Sequence, residues 1–300
     1  MIGPVAAMHV RMREAIKGKR MTTISGSAAA ITGAASGIGR ALALELAARG
    51  CDVAVADVND AGLASLADEI KRMHQRKVSI HRLDVSQPAQ IEEFAKAAIA
   101  SHPELNIVVN NAGVALFGQF HEIDQSQIDW LMNINFWGVV HGTRAFLPHL
   151  QACGEAHIVN VSSIFGIIAP AGQTAYCAAK FAVRGFSEAL RHELQVNKSK
   201  VTLSVVHPGG VATSIASNAR MGTGVTDNSR RSEAIDRFAE AARTTPRDAA
   251  LRIIRGIEKN EPRILIGNDA RFLDLLQRFR PATYWAPLAR RIEKRNAARK

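Results

Sequence analysis

Three hundred residues, 47% of them hydrophobic and 22% charged, make an ordinary globular chain with enough apolar material for a sizeable core. No apolar run approaches the roughly 18 residues of a membrane span. The three scattered cysteines, Cys51, Cys153 and Cys177, form neither a disulfide framework nor a metal-ligand spacing, which fits a reducing, cytoplasmic setting. The net charge of +11 is confined to the ends: +4 over residues 1–20, +7 over 271–300, and zero between them. That placement argues against a basic nucleic-acid groove in the body of the fold.

Residues 1–23 are expected to be a flexible basic extension. "MIGPVAAMHVRMREAIKGKR" has no sustained apolar core and no small-residue cleavage site, so it does not read as a secretory signal. An organellar presequence stays open, as does a start at Met21. From residue 24 to 267 short apolar runs alternate with helical ones. "SAAAIT", "DVAVAD", "KVSIHRLD", "LNIVVNNAG", "HIVNVSS", "KVTLSVVHPGG" and "RILIG" are the expected strands. Near-continuous Val/Ile runs indicate strands covered on both faces, and the alternation indicates parallel strands joined by helical crossovers. The expected fold is α/β: one Rossmann-type, doubly wound seven-stranded parallel sheet. Helices lie on both faces, and ligands sit at the carboxyl ends of the strands. A long helix is expected from about Gln125 to Leu150, another from about Arg247 to Lys259. Residues 212–231 are polar and small and read as a long loop near the substrate. Residues 268–300 read as a basic amphipathic helical extension broken at Pro281. Packing over a pocket edge or a subunit interface, or peripheral contact with an anionic membrane, would each use its apolar face.

The first strand runs into "TGAASGIG". Gly33, Gly37 and Gly39 permit a tight turn and a close backbone approach. With Ser36 and Ile38 they open a helix whose free N–H groups suit a pyrophosphate. The second strand ends at Asp57. A carboxylate there accepts from ribose hydroxyls and repels a 2′-phosphate. Neither residue directly after it, Val58 or Asn59, is Lys or Arg, and none lies between Gly33 and Gly39, so NAD is favoured over NADP. Helix capping is the alternative role for Asp57. Asp84 and Val85 close the third strand as candidate adenine contacts. No metal site is expected.

The opening strand–turn–helix is followed, in order, by "NNAG" (Asn110 to Gly113), "NINFWG" with Asn135, "VNVSS" with Ser163, "YCAAK" with Tyr176 and Lys180, and "HPGGVAT". Over residues 24–267 the chain resembles the short-chain dehydrogenases/reductases. The resemblance implies an NAD(P)-dependent alcohol dehydrogenase or carbonyl reductase. Tyr176 would be the acid–base group, Lys180 would stabilise its anion and hold the nicotinamide ribose, and Ser163 would steady the substrate oxygen. Asn135 would hold a relay water. It also implies cofactor contacts from Asn111, Ala112, Gly113, Pro208, Gly209, Val211 and Thr213, and assembly as a homodimer or homotetramer. Tyrosine has a free pKa near 10, and a lysine one turn away is expected to lower it. His207 reads as structural. Phe117, Phe165 and Ile167, with Ser163, are the candidate substrate contacts. Those loops hold no Lys or Arg, so a medium-to-large apolar alcohol or ketone is expected, with Arg220 as the one nearby cation. An NADP-dependent carbonyl reductase, or a non-catalytic dinucleotide sensor or scaffold, is the alternative.

Overall fold

The computed structural model describes residues 22–227 and 229–290. Seven parallel strands are β1 (Ala28–Thr32), β2 (Asp52–Asp57), β3 (Val78–Arg82), β4 (Leu105–Asn110), β6 (Ala156–Val161), β7 (Val201–Pro208) and β9 (Arg263–Ile266). They lie in the order β3-β2-β1-β4-β6-β7-β9. The order reverses direction between β1 and β4, and a crevice opens above that switch point. β1 is wholly buried as Ala-Ala-Ala-Ile-Thr. Its alanines let helices pack closely on both faces.

On one face Ile31, Val53 and Val55 meet Leu42 and Leu46 of α1 (Gly37–Ala47) and Ile253 and Ile257 of α8 (Pro246–Glu258). Leu63, Leu66 and Ile70 of α2 (Asp60–His74) complete that layer. On the other face Val108, Ile158 and Leu203 meet Phe94 of α3 (Pro88–Ser101) and Phe146 and Leu150 of α5 (Gly138–Ala152). The Phe94 and Phe146 rings meet edge-on at 5.6 Å. Burying a side chain of this size contributes about 1.5–3 kcal/mol.

Thr22 is buried, and its hydroxyl donates to Asn260 Oδ1 at 2.7 Å. Residues 1–21, which make up nearly all of the expected extension, lie outside the described residues.

The long helix expected from Gln125 is two helices joined by a π turn. α4 (Gln125–Met132) passes through Asn133–Trp137 into α5. Such bulges interrupt the regular helical ladder and occur often at functional sites. α6 (Thr174–Val196) carries the Tyr-Lys pair.

The segment expected to be a loop over 212–231 is tethered and partly regular. Arg220–Met221 (β8) pairs with Leu116–Phe117 (β5). Gln127, itself buried, donates to Met221 O at 2.8 Å and accepts from Thr223 N at 3.1 Å. A helix the sequence did not announce follows, α7 (Ser229–Ala241). After β9, α9 (Asn268–Phe279) starts the C-terminal extension, and residues 281–284 form a turn where Pro281 was expected to break the helix.

Candidate active site

A cleft of about 1180 Å³ runs along the carboxyl edge of the sheet. At one end lies the glycine turn. Gly33 has φ +66°, and a Cβ there would stand 2.8 Å from Ala112 Cα. A Cβ on Gly39 would run into the Gly33 carbonyl, which makes Gly39 a floor residue below the cleft. Asn111 clamps the turn from below, its Nδ2 donating to Thr32 O (2.9 Å) and Gly33 O (3.1 Å). Thr32 Oγ1 accepts from the Asn111 and Ala112 amides in return. Ser36 occupies the N-cap position of α1 without a side-chain cap bond. The first-turn N–H groups therefore have no side chain competing for them, and Gly33, Ser36, Gly37 and Ile38 all line the cleft. A phosphate-bearing cofactor fits this cradle.

Asp57 lines the cleft beyond the turn. Its carboxylate is held by two backbone amides, Ala35 N (3.0 Å) and Asn59 N (3.1 Å). Asn59, and not Asp57, caps α2. Arg82 is paired with Asp57 across the β2–β3 register, a neighbour invisible along the sequence. Its guanidinium turns away, donating to Asp60 (2.6 Å) and Val58 O (3.2 Å). Asp84 and Val85 line the same end, Asp84 bonded to Ser86.

Ser163, Tyr176 and Lys180 converge at the middle of the cleft. Ser162 and Ser163 diverge as alternation requires. Ser162 Oγ donates to the Lys180 carbonyl at 2.8 Å, leaving Ser163 Oγ beside the Tyr176 hydroxyl. Burial pushes the Tyr176 phenol up to about 12, and its hydrogen bond with Ser163 works against that rise. The expectation that Lys180 would lower it is corrected: desolvation of the phenol outweighs any attraction by the ammonium. Lys180 is 3% exposed and donates to Val161 O at 3.1 Å. Burial brings it down to about 8, and Nζ stands 5.8 Å from the Tyr176 ring centre.

Asn135 sits fully buried on the π turn. Its amide pairs with the Val114 backbone in both directions, Nδ2 to O at 2.9 Å and N to Oδ1 at 2.8 Å. Gly113 separates it from Lys180: a Cβ there would stand 3.1 Å from Asn135 Oδ1 and 3.5 Å from Lys180 Nζ. His207 is buried and held neutral, its pKa down to about 4. Its Nδ1–H donates to the Ser163 carbonyl at 2.9 Å.

Pro208, Gly209, Val211 and Thr213 line the cleft opposite the glycine turn. Asp269 in the first turn of α9, which sequence reading missed, accepts the Gly210 amide at 2.7 Å. A side chain at Gly209 would collide with that carboxylate. Phe117 and Phe165 line the far end, Phe165 edge-on to Tyr176 at 6.2 Å. Ile167 is absent from the lining. It is buried against Ile168 and Ala270, just past the short 3₁₀ segment Ile164–Gly166. Arg220 is also off the cleft, stacked on Trp130 at 3.8 Å. Besides Lys180, the cations on the lining are Arg243, Arg252 and Arg271.

The short chain dehydrogenase family model matches residues 27–223. The chain belongs to the short-chain dehydrogenases. SadH of Mycobacterium tuberculosis, named an oxidoreductase, is 41% identical over 274 residues, covering 91% of this chain and 98% of SadH. A short-chain dehydrogenase/reductase from Burkholderia phymatum, solved in complex with NAD, superposes with a TM-score of 0.78. It is 31% identical, covering 87% of this chain and 95% of its own. An alcohol dehydrogenase from Thermococcus sibiricus, complexed with 5-hydroxy-NADP, shares the fold at 23% identity and a TM-score of 0.69. It covers 80% of this chain and 95% of its own. This short-chain dehydrogenase is therefore an oxidoreductase of a family that binds nicotinamide dinucleotides.

Proposed function

We propose that this short-chain dehydrogenase interconverts a secondary alcohol and a ketone of medium-to-large apolar body, using NAD in preference to NADP. The observation that carries the reading is the convergence of Ser163, Tyr176 and Lys180 in a cleft that begins at the glycine cradle and ends among apolar side chains. The nicotinamide group, when bound, accepts or supplies the hydride.

The remaining work falls to the chain. Ser163 donates to the substrate oxygen and steadies charge developing there. Tyr176 takes the hydroxyl proton in oxidation and returns it in reduction. Lys180 places a cation beside the phenol at the moment it becomes an anion and holds the nicotinamide ribose. Asn135 lies where a proton path from Lys180 to solvent would start. Gly33, Ser36, Gly37, Ile38 and Thr213 would hold the pyrophosphate, Val211 the carboxamide, and Asp57 the adenosine ribose. For the substrate, Phe117 and Phe165, joined by Ile215, Phe238 and Leu273, offer an apolar bed.

Asp57 supports NAD because its carboxylate is fixed toward the cleft while Arg82 is engaged by Asp60. Arg82 is also the specific feature that favours the NADP reading: released from Asp60, it lies next to the position of a 2′-phosphate. Turnover with NAD and NADP over alcohols and ketones graded by size tests both. Higher kcat/KM with NAD, rising with apolar bulk, is expected. Preference for NADP, or for small polar alcohols, contradicts the corresponding half.

A further inference from the structure

We propose that the outer face of α9 docks on the surface of an anionic lipid bilayer. Phe272, Leu275 and Phe279 fall on one stripe of the helix and are 54%, 53% and 83% exposed. The opposite face is fixed. Asp274, 4% exposed, receives Arg263 of β9 at 3.0 Å and Arg278 at 2.9 Å, and Arg263 continues to Glu188 of α6 at 2.8 Å. Beyond the helix, the Tyr284 hydroxyl accepts from the Ala169 amide at 2.9 Å. With its inner face pinned in this way, α9 cannot rotate to bury the stripe.

Charge decides what covers it. Arg271 and Arg280 flank the stripe. The sequence from 271 to 300 carries +7, while the body between the two ends is neutral. Two copies laid face to face on this segment would set like charges against each other. An anionic bilayer supplies both the counter-charge and an apolar layer for three large side chains. Among the described residues no helix is long and apolar enough to cross a membrane, so the contact is peripheral. The first turns of α9 line the cleft through Asn268, Arg271 and Leu273. Docking would therefore set the cleft mouth against the lipid, where an apolar alcohol is concentrated. That consequence rests on the apolar-substrate reading, whereas the docking itself does not.

The test is co-sedimentation of the full chain, without substrate, with phosphatidylcholine vesicles and with the same vesicles doped with phosphatidylserine. Partition onto the doped vesicles is expected to be at least about tenfold stronger and to fall as salt is raised. Replacing Phe272, Leu275 and Phe279 together by Ser should abolish it with the circular dichroism spectrum unchanged. Should that variant fail to fold, Arg280→Gln still decides, with about a fivefold loss expected. Absence of binding, or equal binding to both vesicles, overturns the proposal. So does a change of molar mass in the triple variant when the parent chain binds neither vesicle, which would assign the face to a second copy. Failure of the chain to turn over apolar alcohols bears on the substrate reading and leaves this measurement standing.

Discussion

Lys180 holds an amine in a site 3% exposed, with a carbonyl for a partner and burial bringing its pKa from 10.5 down to about 8. Between those values the unfolded chain binds more protons than the native one, so this group makes stability rise with pH across that window and imposes its full penalty below pH 8. The shift corresponds to about 3 kcal/mol. Lys180→Met should therefore raise the melting temperature at pH 7 while removing turnover, measured by calorimetry and cofactor absorbance. A variant that melts lower would mean the amine is structural. His207 lies one step away from Ser163 Oγ, bonded to the Ser163 carbonyl. His207→Ala should lower kcat with little change in cofactor affinity, and His207→Asn, which can still donate, should recover part of it. An equal loss in both variants would reduce His207 to core filling. Ser163, Tyr176 and Lys180 were legible in the sequence because they lie within eighteen residues on one strand–helix unit. Asp269 and Arg82 were not. Asp269 meets Gly210 across 59 residues, and Arg82 meets Asp57 through strand register. The pKa of Tyr176 was misjudged for a related reason: sequence shows the neighbouring charge and hides the burial.

At the scale of elements, the strands were readable because buried parallel strands are near-continuous Val, Ile and Ala. α7 was not, because its few apolar residues, Ile235 and Phe238 among them, are outnumbered by charged and small ones and none is fully buried. It is held by an ion pair instead, Arg230 to Glu122 of the 3₁₀ turn before α4, with both carboxylate oxygens engaged. That pair lowers Glu122 to about 2. Its contribution is present above the ordinary Glu pKa near 4.5 and is lost as pH falls toward 2. Because the pair is exposed, its effect on global stability is small. The consequence belongs to α7, which lines the cleft through Phe238. Arg230→Ala should raise KM for a large substrate several-fold with the melting temperature nearly unchanged. An unchanged KM would show that α7 does not close on the substrate.

The whole molecule joins three regions that the sequence presents separately. The sheet edge carries the cofactor cradle, α6 carries the acid–base pair, and α9 reaches back through Asp269 and Leu273 to complete the wall. Trp137 and Phe181, 45% and 39% exposed, lie on the π turn and α6, and pairing of two copies is a proposal to be tested. Light scattering should give a dimer or tetramer mass, and a monomer would contradict that expectation. The central claim is that Tyr176 exchanges the substrate proton while the cradle holds NAD independently of it. It is tested most directly by Tyr176→Phe, assayed for turnover of the best alcohol and, by fluorescence titration, for NADH binding. The account predicts turnover reduced at least about a thousandfold with NADH affinity within about twofold of the parent. A Phe variant that keeps its activity would contradict it.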